Sequence, residues 1–277
     1  IGEPVGKYTA PAIALAARVL VRTDPDAVMV VLPADHIVRD VSAFRETLGL
    51  ALKAAEDVRA RVTLGIRPTR AETGCGYVRS GAAAATDGVS LVDEFVEKPD
   101  GPTARSYVED GSYLWNSGMF VWRADRVLEE VARHLPDLSA ALDAVSASPG
   151  SEGFLEEVSA FYEAAPSVSI DYGIMEKADG VLVVPAAFDW DDVGAWTALA
   201  RVWGADADGN TVSGEVVLLE STDSVVYSED GVVAVLGMEG VVVARTRGAT
   251  LVCPKSMSGA VRRIVEELRE RDLTDSQ

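Results

Sequence analysis

The sequence predicts an α/β domain with a mostly parallel sheet, followed by a small β-rich domain. Three observations lead there. Over the first two thirds of the chain, short apolar runs alternate with amphipathic helical stretches, which is how strand–helix–strand units read. Near Asp206-Ala207-Asp208-Gly209-Asn210 that alternation stops. Beyond it come short β-rich pieces broken by Gly, Asp and Ser, among them TVSGEVVLLE, SVVYSEDG and GVVVARTRG, with no long helix between them. The division is therefore expected at 1–204 and 205–277, the second part ending in an amphipathic helix, with no strong internal repeat in either.

The elements follow in order. Residues 10–21 read as a helix, with Pro11 suited to its first turn. The run AVMVVL at 27–32 is stopped by Pro33, as in a buried parallel strand. Ser42 is the expected N-cap of the next helix, whose Phe44, Leu48, Leu52 and Ala55 share one face. Residues 62–66 and 92–96 read as strands, the second running into Glu97-Lys98-Pro99, and 125–135 and 151–164 read as helices. In the closing helix Val261, Ile264, Val265 and Leu268 form an apolar stripe, expected to pack on the domain's own sheet.

Composition narrows the function. The 277 residues carry 25 basic and 44 acidic side chains, a formal charge of −19. Such a surface repels nucleic acid and anionic lipid. It repels free nucleotide too, so a phosphate-handling site needs local lysines or a bound cation. No apolar run reaches the roughly 18–20 residues of a membrane span, and the opening IGEPVGKYTAP has no signal-peptide character. Two cysteines, Cys75 and Cys253, exclude a disulfide framework and a multi-cysteine zinc site. They fit a reducing cytoplasm. Two histidines, His36 and His134, argue against a histidine metal cluster or triad.

Six segments have the residue types of a site. In VLPADH (31–36) a strand delivers Asp35 just past its carboxyl end, where ligands bind in open α/β sheets; turn-capping is the commoner use of a lone Asp there. In DWDDVGAW (189–196), aromatic neighbours and Gly194 suit a rigidly held Asp192, whereas Asp189 and Asp191 read as surface acids. Two carboxylates from distant segments suit Mg²⁺, which keeps water and phosphate in its remaining shell. FVEKPD (95–100) offers Glu97 for sugar hydroxyls and Lys98 for phosphate, or a plain surface pair. LWNSGMF (114–120) offers Asn116 as donor and acceptor to a hydroxyl, or equally a buried turn.

SIDYGIMEK (169–177) starts like a helix N-terminus. Asp171 there is placed to cap and also belongs among the substrate-binding candidates, and Lys177 is placed to reach an anion. In ETGCGYV (72–78), Gly76 lets backbone approach a ligand, though a hairpin would look alike. Cys75 reads as a packed thiol and His36 as a structural hydrogen-bonding residue.

VLPADH, TGCGYV, FVEKPD, LWNSGMF, SIDYGIMEK and WDDVGAW together resemble the mannose-1-phosphate guanylyltransferases, in that family's order and spacing, over nearly all of residues 1–203. The stretch EPVGKYTAPAIALAA is similar to the family's segment before this strand. The resemblance implies a Rossmann-like nucleotidyltransferase domain and a small β-helix-like domain after it. It implies that Asp35 and Asp192 hold Mg²⁺, that Glu97 and Asn116 bind mannose hydroxyls, and that Lys98 and Lys177 meet phosphate. Gly76 would bring backbone to the sugar. Lys7, Thr9, Pro33 and Ala34 would line the nucleotide, and Asp35, Lys98 and Asp192 would be the catalytic set. The implied reaction is GTP plus mannose-1-phosphate giving GDP-mannose and pyrophosphate by direct in-line attack. A homodimer is left open.

Two departures bear on this. The family's G-G-x-G-T-R loop does not occur in these 277 residues. A chain truly starting at Ile1 is expected to turn over little and to have an incomplete sheet. Lys7-Tyr8 stands where the family has Arg-Asn, so the base is less firmly implied than the reaction class. The alternatives are another NTP and sugar-1-phosphate pair, or an inactive sugar-nucleotide-binding homologue.

Overall fold

The computed structural model describes residues 1–58 and 60–273. The chain forms two compact units: Ile1–Ala34 with Val38–Asp189, and Asp35–Ile37 with the residues from Trp190 on.

In the first unit α1 (Thr9–Thr23) carries Pro11 in its first turn and buries Ile13, Ala14, Leu15 and Ala17. After β1 (Val28–Val31) and the two-residue β2 (Ile37–Val38) comes α2 (Val41–Val58). Its cap is Asp40 and not Ser42. The Asp40 carboxylate accepts from the Ala43 amide at 3.0 Å, and the Asp40 carbonyl accepts from the Phe44 amide at 3.0 Å. An Asp at the cap satisfies a first-turn amide as well as Ser does, and two adjacent candidates are not separable from residue type alone.

The sheet continues through β3 (Arg61–Ile66), β4 (Tyr77–Ala83), β5 (Ser90–Val96), β6 (Tyr113–Arg123) and β7 (Val181–Pro185) in the order β1-β6-β3-β7-β5-β4, with α3 (Gly101–Asp110) between β5 and β6 in the chain. It is mixed and not mostly parallel. Among the described residues of this sheet only the β3–β7 ladder is parallel, and β6 runs against β1, β3 and β4. The strands β1, β3, β4 and β7 do point the same way, as strand–helix alternation requires. The long β6 enters between β1 and β3 and opposes both, while β5 opposes its neighbours β7 and β4. An apolar run records burial, not direction, which is why the sequence pattern misses this.

One face of the sheet is closed by helices. Phe120 and Trp122 of β6 meet Val127 and Val131 of α4 (Ala124–His134), Leu138 of α5 (Pro136–Leu142), and Phe161 and Tyr162 of α6 (Phe154–Ala164) in one core. Each such side chain contributes about 1.5–3 kcal/mol on burial, so the strands that carry the candidate site are held on a rigid base.

The second unit holds β8 (Trp190–Asp191), α7 (Leu199–Trp203) and a coil of short strands. In the coil β9 (Thr211–Ser213), β11 (Val225–Ser228) and β13 (Val241–Arg245) lie parallel in one sheet, and β10 (Val216–Leu219) lies parallel to β12 (Val233–Leu236) in another. Val216 sits over Val233 and Val225 over Val242. The Met238 amide donates to the Ser221 hydroxyl and the Val241 amide to the Ser224 hydroxyl, each 17 residues away. This is a β-helix-like coil with a 17-residue turn, a repeat that does not stand out in the sequence. Its apolar positions recur, but the corners Glu220-Ser221-Thr222 and Gly237-Met238-Glu239 share no residue at equivalent places.

The strand β14 (Thr250–Pro254) runs antiparallel to β13, and α8 (Val261–Glu270) follows. Its apolar stripe is covered only in part: Val261, Val265 and Leu268 are half-buried, Ile264 is 52% exposed, and no residue of α8 is fully buried. Periodicity gives the stripe but not its neighbour. No described helix is long and apolar enough to cross a membrane.

Candidate functional site

A polar cluster in the first unit gathers five of the candidate residues. It begins at an irregularity in β6. Pairing of β3 with β6 shifts register between Thr63 and Gly65, and Gly118 takes φ +68°. Such bulges re-aim a side chain. Here Asn116 is turned to a buried position, where its Oδ1 accepts from the Thr63 hydroxyl at 2.9 Å. Its Nδ2 donates to Asp171 Oδ1 at 2.8 Å. Its backbone amide donates to the Gly76 carbonyl at 2.8 Å.

Gly76 leaves room for a carboxylate. A Cβ at that position would collide with Glu97 Oε2 and stand 3.3 Å from Asn116 Cβ. The Glu97 side chain is only 8% exposed, and its Oε1 pairs with Lys98 Nζ at 2.9 Å. Oε2 is buried with no hydrogen-bond partner among the described residues. An unmet buried acceptor is costly, and a hydroxyl ligand would satisfy it. Burial pushes the Glu97 carboxyl up, aided by Asp171 and Glu176 and opposed by Lys98. Burial alone would lower the Lys98 amine, but Glu97 more than offsets it and holds the amine above the usual lysine value. The amine also lies 6.0 Å from the centre of the Tyr172 ring.

Asp171 opens a π-helical turn, Asp171–Met175, whose N-cap residue is Ile170. Burial raises the Asp171 carboxyl, against hydrogen bonds from Asn116 and from its own backbone amide. The carboxylate thus serves a partner 55 residues away as well as a local amide. Just past the turn, Glu176 Oε1 accepts from the Glu97 amide at 2.9 Å. Thr63 and Glu176 are the residues that sequence reading missed. Glu176 sits beside the candidate Lys177, the only signal that pointed near it, whereas Thr63 in an apolar strand gave none.

The other candidates of this unit lie as follows. Lys177 is exposed at the end of the same turn. Lys7 Nζ donates to the Ala165 carbonyl at 3.0 Å, and the Thr9 hydroxyl accepts from the Ile170 amide at 2.9 Å. Both therefore tie the N-terminal segment to the stretch leading into Asp171. Pro33 lies against the β6 bulge, 3.5 Å from where a Cβ on Gly118 would stand, and Ala34 is exposed. Cys75 is buried, as expected of a packed thiol.

Asp35 and Asp192 both fall in the second unit, where they converge on His36. The Trp190 indole donates to His36 Nδ1 at 3.1 Å, with the rings edge to face at 5.2 Å. The neutral imidazole therefore carries its proton on Nε2, which lies 3.8 Å from Asp35 Oδ1. Burial lowers the His36 pKa, while Asp35, Asp192 and Asp191 each pull it up. Asp191 is occupied by Arg201, at 2.5 and 3.0 Å. Gly194 gives Asp192 space, since a Cβ there would stand 3.0 Å from its Oδ2. Asp35 and Asp192 would bring carboxylate oxygen, the donor type of a hard divalent cation; among the described residues no group of three or more His, Cys, Asp or Glu side chains forms a metal cluster.

The first unit thus sets a buried carboxylate–lysine pair just past β5 beside a buried amide within β6, and the second unit forms a β-helix-like coil. The sequence profile described as nucleotidyl transferase matches residues 1–209, and the chain belongs to that family. Residues 214–268 match the MannoseP isomerase/GMP-like beta-helix domain.

Among individual proteins, the chain is 41% identical over 273 residues to the mannose-1-phosphate guanylyltransferase of Escherichia coli (strain K12), covering 96% of this chain and 57% of that protein. It is 40% identical over 277 residues to the alginate biosynthesis protein AlgA of Pseudomonas aeruginosa, covering 99% of this chain and 57% of AlgA. The chain thus spans less than two thirds of these relatives. A crystal structure described as mannose-1-phosphate geranyltransferase from Thermus thermophilus superimposes with a TM-score of 0.83 at 42% identity, covering 97% of this chain and 77% of that one.

Proposed function

We propose that this chain transfers GMP from GTP to mannose-1-phosphate, giving GDP-mannose and pyrophosphate. The observation that carries this reading is the buried, unpartnered Glu97 Oε2, seated in the room that Gly76 leaves for it. It is an acceptor suited to a sugar hydroxyl, within the cluster of Asn116, Asp171 and Lys98. The relatives named as mannose-1-phosphate guanylyltransferases supply the choice of sugar and base.

In this reading Glu97 and Asn116 bind mannose hydroxyls and Gly76 brings backbone to the ring. Asp171 orients Asn116, and Lys98 and Lys177 neutralise phosphate. Lys7, Thr9, Pro33 and Ala34 border the nucleotide. A phosphate oxygen of the sugar attacks the α-phosphorus of GTP, and the bond to pyrophosphate breaks without a covalent enzyme intermediate. The protein's part is positioning and charge neutralisation. Asp35 and Asp192 would hold Mg²⁺, which supplies further neutralisation of the phosphates when bound. Residues 1–204 are taken as the transferring domain and 205–277 as the β-rich one. The surface charge suits small-molecule substrates and no nucleic acid. The cytoplasm is the proposed compartment, and a homodimer fits the same reading.

Pyrophosphate release across a panel of NTPs, with mannose-1-phosphate as acceptor, tests the reaction. GTP is expected to be preferred, with product lost on chelation of divalent ions. A strong preference for UTP or dTTP would end the guanosine assignment. GDP-mannose binding without any product from the longest expressible chain would favour a sugar-nucleotide-binding protein instead.

A further inference from the structure

Lys98 takes φ +49°, a left-handed conformation that a residue with a Cβ adopts only at a cost of about 1 kcal/mol or more. Something must hold the backbone there. The residue before it, Glu97, donates its amide to Glu176 Oε1 at 2.9 Å across 79 positions. The same turn that ends at Glu176 begins with Asp171, which holds Asn116 at 2.8 Å. One π-helical turn, a form frequent at functional sites, therefore holds both the residue just past β5 and the Asn116 side chain within β6. Its front is anchored in turn. The Ile170 amide donates to the Thr9 hydroxyl at 2.9 Å, and the Ala10 amide donates to the Val168 carbonyl at 3.1 Å.

We propose that Glu176 is a positioning residue: by accepting the Glu97 amide proton it fixes the left-handed turn that aims Glu97 and Lys98 at the sugar phosphate. This rests on the sugar-phosphate reading above. Glu176 does not touch the ligand; it acts through the backbone of Glu97. A second consequence follows from its charge. Glu176 is one of the groups that hold the Glu97 carboxyl up, so removing that charge lets Glu97 ionise at lower pH.

The test is calorimetric titration of mannose-1-phosphate into the full chain and its Glu176→Ala and Glu176→Gln variants, with amide hydrogen exchange read at Glu97. Glu176→Ala is expected to weaken binding roughly three- to tenfold, the worth of one such hydrogen bond, and to speed exchange at the Glu97 amide. Glu176→Gln keeps an accepting oxygen, so it restores both, while the acid limb of its binding-versus-pH curve moves to lower pH. Unchanged affinity and unchanged Glu97 exchange in Glu176→Ala would overturn the proposal. So would faster exchange spread evenly over the first unit, which marks general loosening. If the parent chain binds no mannose-1-phosphate, the sugar-phosphate reading falls, yet exchange at Glu97 still decides whether Glu176 holds the turn.

Discussion

Gly76 and Glu97 show how a single missing side chain makes a site. A methyl group at position 76 would occupy the place of Glu97 Oε2, so the carboxylate would have to leave its pocket. Overpacking of this kind costs about 1–3 kcal/mol. Gly76→Ala is therefore expected to weaken mannose-1-phosphate binding about tenfold or more by calorimetry, with native far-UV circular dichroism retained. His36 yields a second expectation. Its folded-state pKa lies below the ordinary 6.5 because it is buried, so the folded protein resists a proton that the unfolded chain accepts. Its contribution to stability is present above about pH 6.5 and is lost as pH falls through the folded value. Thermal melts between pH 7.5 and pH 5 (roughly the span over which imidazole titrates) should fall more steeply for the parent than for His36→Gln. Parallel curves would contradict it.

Glu97, Asn116 and Gly76 came forward as candidates through six motifs taken together, since each motif alone left a plain structural use open; the fold gathers the three in one cluster. The role of Asp171 was not legible. A carboxylate at the start of a helical turn has local amides to meet, and only the fold reveals that Asn116 has been brought to it as well.

Among the elements, the coil of the second unit depends on polar side chains that bridge successive turns. Asn210 is 3% exposed, donates to the Ser221 carbonyl at 2.8 Å, and accepts from the Ser224 amide at 3.1 Å. Asn210→Ala strands both backbone groups, at about 1–3 kcal/mol for an unmet buried partner. Urea denaturation followed in the second unit should show a loss of that size; a change below about 0.5 kcal/mol, the range of ordinary surface substitutions, would mean that the bridge is dispensable. The strands themselves were legible as apolar runs between turn residues. Their directions and the 17-residue period were not, since both are set by which strands become neighbours. For α8 the stripe was visible, but how far it is covered was not.

For the whole molecule the constraint is charge. A chain at −19 repels anions, so under the proposed function the substrate would depend on the few cations and acceptors placed locally. Lys98, paired with Glu97 and held in a strained turn, is the first of these. Family membership was legible because six short motifs occur in one order. The grouping of Asp35 with Trp190 and Asp192 in one unit, across more than half the chain, required the fold.

The most direct test of the account is titration of mannose-1-phosphate into the chain and its Glu97→Gln variant, each checked for an unchanged melting temperature. Saturable binding that weakens at least about tenfold in the variant, as expected for loss of a charged acceptor to a hydroxyl, is the predicted result. Equal affinity in the two proteins would contradict it.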